Sequence, residues 1–194
     1  MGLVAFTGGI RSGKSAAAAA LAGRRASEIG GASAEAVAVV AFGKRGTDDE
    51  FDARIARHRA DRAESWSTFE AAYDDTWRTE LDRYAVVVFD CLGTWLALEI
   101  DRALADGVGD PVGSAERTVA DQVEALSRTI TNSVWVTNEV GLSLVPDTSV
   151  GRRYVDALGR LNRALFARAD AAYFVVAGHA IDLSQPADRV DWPK

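Results

Sequence analysis

The sequence predicts an α/β fold in which helices flank a mostly parallel central sheet. Five short apolar segments, rich in β-branched and aromatic residues, recur along the chain without alternating polar residues. Such segments are typical of parallel strands that are buried on both faces. Helical patterns separate them, and strands that alternate with helices indicate right-handed crossover connections. The strands are expected at residues 3–6, 36–42, 85–89, 134–136 and 172–177.

The helices are expected between these strands. Residues 15–26 contain a run of alanine, which has the highest helix propensity. Residues 48–62 begin with acidic side chains, which are favourable at a helix N-terminus, and residues 73–83 also have a helical pattern. Two more helices are expected before the fourth and fifth strands. Their apolar residues recur at helical spacing, as Val119, Val123, Leu126 and Ile130, and as Val155, Leu158, Leu161 and Leu165.

A single domain is expected, because 194 residues can bury one hydrophobic core but are few for two. We place this domain at residues 1–183. Within it, residues 105–113 are rich in glycine and are expected to form a surface loop. Residues 184–194 are polar, contain two prolines and are expected to form a loose C-terminal tail.

Composition and charge narrow the functional classes. The formal net charge of −6 argues against a nucleic-acid partner or an anionic membrane surface, since either requires a basic face. No membrane span is expected, because the apolar runs are far shorter than the roughly 20 residues of a spanning helix. Cys91 is the only cysteine, which excludes an intrachain disulfide and fits a reducing compartment. Since the N-terminal residues also lack a secretory signal pattern, we expect a cytoplasmic location.

A phosphate-binding loop is the most specific motif in the sequence. The pattern G-x-x-x-x-G-K-[ST] is complete, with an apolar strand before it and a helix after it. Its residues are Gly8, Gly9, Ile10, Arg11, Ser12, Gly13, Lys14 and Ser15. Glycines let the backbone aim its N–H groups at phosphate oxygens, and the helix N-terminus adds partial positive charge. Lys14 is expected to reach the outer phosphates of ATP or GTP, and the Ser15 hydroxyl to bind Mg²⁺. The motif predicts a P-loop NTPase-like domain, the alternative being a glycine-rich turn that binds nothing.

A carboxylate at the end of a neighbouring strand is expected to complete the magnesium site. Asp90 directly follows the apolar strand at residues 85–89 and is the best candidate. The alternative is that Asp90 only caps a turn or a helix. Glu139 follows the strand at residues 134–136 in the same manner, and for this residue a solvated loop charge is an equally open interpretation.

The two histidines of the chain have different surroundings. His179 follows the last predicted strand, and we interpret it as structural. His58 lies in a segment with four arginines, which would keep an imidazole neutral and attract nucleotide phosphates. On composition alone, an exposed helix face with solvated charges is the stronger interpretation of this segment.

Taken together, these motifs resemble the bifunctional adenosylcobinamide kinase / adenosylcobinamide-phosphate guanylyltransferase family of cobalamin biosynthesis. The resemblance extends from the phosphate loop to about Leu183, and the order Thr-Asn-Glu-Val-Gly at residues 137–141 is one of its specific parts. The other matching residues are Thr7, Gly8, Gly9, residues 11–15, Arg54, Ile55, His58, Arg59, Arg62, Trp66, Thr68, Glu70, residues 90–92, Trp95, Leu96, Val145, Pro146, Arg153, Asp156, Gly159, Asn162, Ala169, Asp170 and residues 175–178.

The resemblance implies two reactions at one nucleotide site. First, the γ-phosphate of ATP or GTP passes to the hydroxyl of the aminopropanol arm of adenosylcobinamide. Then GTP guanylylates a histidine and releases pyrophosphate, and the phosphorylated cobinamide takes the GMP. By resemblance, His58 is the guanylylated residue, and Asp90 lies near magnesium or the nucleotide. Arg59, Arg62 and Glu70 are implied to line the guanine nucleotide site, and the family's assembly implies a homotrimer.

Two alternatives to the bifunctional enzyme remain open at this point. One is a P-loop kinase of small molecules that performs phosphoryl transfer only. The other is a GTP-binding protein without catalysis, which acts as a partner in the same pathway.

Overall fold

A seven-stranded sheet forms the centre of the part of the chain that the computed structural model describes, namely residues 2–29, 35–44, 46, 53 and 65–184. At residues 35 and 36 the description is limited to the backbone. The strands are β1 (Gly2–Gly8), β2 (Glu35–Ala41), β3 (Ser67–Glu70), β4 (Tyr84–Asp90), β5 (Asn132–Val136), β6 (Ala171–Val176) and β7 (His179–Asp182). Their order is β3-β2-β4-β5-β1-β6-β7, and all neighbours are parallel except β6 and β7. The predicted α/β fold class with a mostly parallel sheet is confirmed.

Helices cover both faces of this sheet. They are α1 (Lys14–Ile29), α2 (Trp77–Glu80), α3 (Leu92–Ala105), α4 (Pro111–Thr129) and α5 (Ser149–Phe166), and a 3₁₀ turn (Leu81–Arg83) follows α2. Ala18, Ala22 and Ala26 of α1 are buried against one face. Helices α3, α4 and α5 bury their apolar residues against the other. None of the helices in the described ranges has the length and apolarity needed to cross a membrane.

Strand β4 explains why the sequence pattern is apolar without alternation. Val86 and Val88 pack on the side of α1, whereas Val87 and Phe89 pack on the side of α3 and α5. Both faces of the strand are therefore buried from solvent, and each position favours an apolar residue. The strands predicted at residues 3–6, 36–42, 85–89, 134–136 and 172–177 all form, with ends that differ by at most two residues.

Two local predictions were wrong in part. The helix predicted at residues 73–83 is limited to α2 and the 3₁₀ turn, because the Asp74 carboxylate accepts from the Thr76 backbone N–H at 2.8 Å and holds a turn there. The loop predicted at residues 105–113 is shorter than expected. Helix α4 already begins at Pro111, where proline suits the first helical position and the Asp110 side chain accepts from the Gly113 N–H at 3.1 Å.

Three elements were not predicted at all: the edge strands β3 and β7 and helix α3. Other predictions remain untested. The helix expected at residues 48–62 lies outside the described residues apart from Ala53, and the tail expected at residues 184–194 lies outside them apart from Ser184. The limits of the single predicted domain also remain a prediction.

The packing of α5 on the sheet yields a test of the core. Leu158 on α5 is fully buried, whereas Leu144 in the preceding loop is 93% exposed. We expect Leu158→Ala to lower the free energy of unfolding by about 2–5 kcal/mol, because it opens a cavity in a close-packed interior. Leu144→Ala should change it by less than about 0.5 kcal/mol. Urea denaturation of both variants measures the difference, and equal losses would contradict this packing.

Candidate functional site

The carboxyl ends of the parallel strands bring the predicted site residues to one edge of the sheet. Gly8 at the end of β1 pairs with Val175 of β6, and Asp90 at the end of β4 pairs with Val136 of β5. Ala41 at the end of β2 lies between Asp90 and Glu70, the last residue of β3. This edge is where open parallel sheets generally bind their ligands.

The phosphate loop begins at a point where only glycine fits. A Cβ atom on Gly8 would overlap the Val175 carbonyl oxygen and would lie 2.7 Å from Ser12 Oγ. The loop closes further along, where the Gly178 N–H donates to the Ser12 carbonyl at 2.9 Å. Gly13 has a φ of +95°, a conformation that L side chains rarely adopt. The turn between β6 and β7, which contains Gly178, is therefore hydrogen-bonded to the phosphate loop.

Polar groups inside the loop suit an anionic ligand. Lys14 is buried at the start of α1, and its Nζ donates to the Gly9 carbonyl at 3.0 Å. Among the described residues, the buried Ser12 Oγ has no hydrogen-bond partner. Ile10 and Arg11 are exposed at the outside of the loop. A buried ammonium group beside a helix N-terminus concentrates positive charge at this one place.

Ser15 and Asp90 are in contact, although strand β5 lies between β4 and β1 in the sheet. The Ser15 hydroxyl donates to Asp90 Oδ1 at 3.3 Å, and Asp90 is half-buried. A hydroxyl and a carboxylate are oxygen ligands of the kind that Mg²⁺ prefers. These two residues fit a magnesium ion held between the loop and β4.

Glu139 contributes to the site through its backbone rather than its carboxylate. Its N–H donates to the Gly8 carbonyl at 3.1 Å, so it anchors the first residue of the loop. Its Oε1 accepts from the Gly141 N–H at 2.6 Å, within its own turn. The sequence correctly predicted that Glu139 follows a strand. It could not show that the backbone N–H of Glu139 bonds the phosphate loop while its carboxylate bonds its own turn.

A buried thiol lies directly behind Asp90. Cys91 Sγ is 2.9 Å from Thr94 Oγ1, and the Asn138 side-chain amide donates to the same sulfur at 3.8 Å. Burial, and secondarily the negative charge of Asp90, raises the pKa of the Cys91 thiol, so it is protonated at neutral pH. Sequence reasoning gave Cys91 no role beyond the absence of disulfides, although its position next to Asp90 was a signal.

Glu70 and His179 lie apart from the Ser15–Asp90 pair. Glu70 shares the sheet edge but lies on β3, beyond β2 as seen from Asp90. His179 is exposed at the start of β7, where its Nδ1 is 2.9 Å from the Ala177 carbonyl oxygen. His58, Arg59 and Arg62 lie outside the described residues.

Comparisons with known proteins point to one family. A family model described as cobinamide kinase / cobinamide phosphate guanyltransferase matches residues 4–183. The bifunctional adenosylcobalamin biosynthesis protein CobP of Pseudomonas aeruginosa is 37% identical over 88% of this chain and 91% of its own. The corresponding CobU proteins of Salmonella typhimurium and Escherichia coli K12 are 32% and 30% identical, each over 93% of this chain and 99% of its own.

A solved structure supports the fold alone. The assembled ATPase EscN of the type III secretion system of enteropathogenic E. coli superposes with a TM-score of 0.51 at 14% sequence identity. The match covers 91% of this chain and 43% of EscN. The chain therefore has a P-loop ATPase-like fold, as the sequence predicted.

The crowding at Gly8 can be tested by comparing a variant of Gly8 with a variant of the neighbouring Gly9. Gly8→Ala should lower the free energy of unfolding by about 1–3 kcal/mol, because the methyl group forces the loop away from β6. Gly9→Ala is the matched control, since a Cβ atom there meets nothing within 4 Å. Thermal and urea unfolding of the nucleotide-free proteins measure both. A Gly8→Ala protein as stable as Gly9→Ala would show that the loop does not start in this close contact.

Proposed function

This chain belongs to the cobinamide kinase / cobinamide phosphate guanyltransferase family, a family of transferases, and we propose from this premise that it catalyses both reactions in the family name. The first is transfer of a γ-phosphoryl group from ATP or GTP to the hydroxyl of adenosylcobinamide. The second is transfer of GMP from GTP to the phosphorylated product. By the same resemblance we propose a homotrimer with a corrinoid substrate, and from the single cysteine and the N-terminal residues we propose a cytoplasmic location.

The observation that carries the proposal is the phosphate loop with its buried lysine beside the Ser15–Asp90 pair. Phosphoryl transfer needs mainly a fixed geometry and positive charge around the transferred group. The loop N–H groups and the N-terminus of α1 would hold the phosphates, and Lys14 would neutralise the outer ones. Because these groups are already positioned by the fold, little reorganisation is needed at the moment of reaction.

Mg²⁺ would be held by Ser15 Oγ and the Asp90 carboxylate. When bound, this ion would offset negative charge on the phosphate oxygens. Ser15 and Asp90 also have a structural role, because their contact ties the first turn of α1 to the end of β4. This link keeps the phosphate loop and the carboxylate at a fixed distance.

The guanylyl transfer is proposed to pass through His58. An imidazole nitrogen attacks the α-phosphorus of GTP, a P–N bond forms, and pyrophosphate leaves. A phosphate oxygen of the phosphorylated cobinamide then attacks the same phosphorus, and the imidazole leaves with the electrons of the P–N bond. Covalent catalysis of this kind divides one difficult displacement into two easier ones.

This assignment of His58 rests on the resemblance, and the start of its segment at the carboxyl end of β2 supports it. The chain leaves β2 through Phe42, at the same edge as Asp90, and the segment containing His58 follows in sequence. Arg59, Arg62 and Glu70 are proposed to bind the guanine nucleotide, on the resemblance alone.

The role of Lys14 can be measured directly. Lys14→Ala should reduce both activities roughly 10²–10³-fold, because both use the same triphosphate and lose one preorganised cation. Arg24→Ala removes an exposed cation from the same helix and should leave both rates unchanged. Steady-state assays of phosphoryl and guanylyl transfer provide the measurement. A Lys14→Ala enzyme with near-wild-type turnover would refute the proposed phosphate site.

The proposal as a whole is tested by labelling with GTP. α-³²P-GTP should label the protein at His58, whereas γ-³²P-GTP should not, and the bond should be labile to acid and stable to alkali. His58→Asn should lose labelling and guanylyl transfer but keep kinase activity, which needs no covalent intermediate. His179→Asn is the matched control and should still be labelled.

Each alternative gives a different result in this experiment. Label on His179 would mean that the other histidine is the nucleophile. Kinase activity without any label would indicate an enzyme of phosphoryl transfer only. GTP binding with neither activity would indicate a non-catalytic partner.

A further inference from the structure

Asn162 on α5 binds the segment that follows β5 with both ends of its side-chain amide. Its Oδ1 accepts from the Thr137 hydroxyl at 2.6 Å, and its Nδ2 donates to the Asn138 carbonyl at 3.0 Å. Thr137 is fully buried, whereas Asn162 is half-buried. An amide whose acceptor and donor are both engaged by consecutive residues fixes that segment in direction as well as in distance.

The segment held by Asn162 is also the segment that holds the phosphate loop. The Thr137 N–H donates to the Phe6 carbonyl at 2.9 Å, and the Glu139 N–H donates to the Gly8 carbonyl at 3.1 Å. The side chain of Asn138 points to the other half of the site, since its Nδ2 donates to the Cys91 sulfur behind Asp90. Residues 137–139 thus connect the ends of β1 and β4.

We infer that Asn162 is a positioning residue for this site. It acts through residues 137–139 to hold Gly8, and with it the phosphate loop, at the correct distance from Asp90. The loss of its amide would leave the buried Thr137 hydroxyl and the Asn138 carbonyl without these bonds, so the segment would rearrange. The inference rests on the proposed function for the reaction affected, but the contacts that carry it do not depend on the substrate.

The matched control is Asn132, at the opposite end of β5. Its Nδ2 donates to the Ala85 carbonyl at 3.1 Å, and it is also half-buried. Asn162→Ala and Asn132→Ala therefore remove similar amide-to-carbonyl bonds from the two ends of one strand. A purely structural role predicts similar effects from both, whereas a positioning role predicts that only the first affects the site.

Four quantities are measured for wild type and for each variant: the thermal midpoint, the Kd for Mg²⁺·mant-GTP, and the kcat and KM for adenosylcobinamide phosphorylation. At a temperature where all proteins are folded, Asn162→Ala should weaken mant-GTP binding and lower kcat by roughly 10- to 100-fold, because small displacements of reacting groups have large effects. The KM for adenosylcobinamide should change little. Asn132→Ala should keep the wild-type kcat and Kd.

A double-mutant cycle with Thr137→Val separates this network from general destabilisation. If the two side chains act as one unit, Thr137→Val combined with Asn162→Ala should lower kcat no further than Asn162→Ala alone. The inference is overturned if Asn162→Ala matches wild type in both kcat and Kd, or if Asn132→Ala shows the same losses. Should wild type fail to phosphorylate adenosylcobinamide, the proposed function fails, and the mant-GTP titration alone decides the role of Asn162.

Discussion

The close approach of Gly8 to strand β6 determines the geometry at the ligand-binding edge of the sheet. The loop must turn where the Val175 carbonyl occupies the space that a side chain would need. The pairing of β1 with β6 reaches Gly8, and on the β5 side the Glu139 N–H donates to the Gly8 carbonyl, so the start of the loop is held on two sides. Lys14 and Ser15 come directly after this short loop, at the start of α1. Their positions relative to Asp90 therefore depend on where the loop begins.

A layer of aromatic rings lies beneath the same edge and makes it rigid. Phe42 stacks on Trp95 with ring centroids 4.5 Å apart, and Phe89 stacks on Trp135 at 4.0 Å. Trp77 contacts Phe42, Phe89 and Trp95 edge-on. Phe89 directly precedes Asp90, so the backbone that carries the carboxylate is anchored by a ring that cannot shift without disturbing its neighbours. Catalytic groups carried on such elements hold their geometry better than groups on isolated loops.

Features encoded by contiguous residues could be predicted from the sequence. The phosphate loop is a single run, and the central strands are apolar on both faces, so each was recognisable without knowledge of the rest. The edge strands β3 and β7 were missed because they are short and are not fully buried. Helix α3 was missed because it is apolar on most sides and lacks a clear polar face.

Contacts that depend on strand order could not be predicted. Asp90 was identified as a strand-end carboxylate, but its contact with Ser15 depends on β5 lying between β4 and β1. The bonds from Asn162 to Thr137 and Asn138 likewise join residues that are close only after α5 packs on the sheet. The contacts of Cys91 could not be predicted for the same reason, since the neighbours of its sulfur include Asn138, which is distant in sequence.

The backbone bonds that anchor the phosphate loop bear on how one loop would serve the two proposed transfers. Phosphoryl transfer requires attack at the γ-phosphorus and guanylyl transfer requires attack at the α-phosphorus, each roughly in line with its leaving oxygen. On the proposed mechanism, the phosphate loop, whose Gly8 and Ser12 carbonyls accept from the Glu139 and Gly178 N–H groups, would hold the triphosphate in one orientation for both. On the proposed mechanism the choice of reaction therefore depends on the nucleophile. The corrinoid hydroxyl must approach the outer phosphate, and His58, which lies in sequence between β2 and β3, must approach the inner one. On this mechanism, separate nucleophiles acting on one fixed triphosphate would give both products from a single nucleotide site.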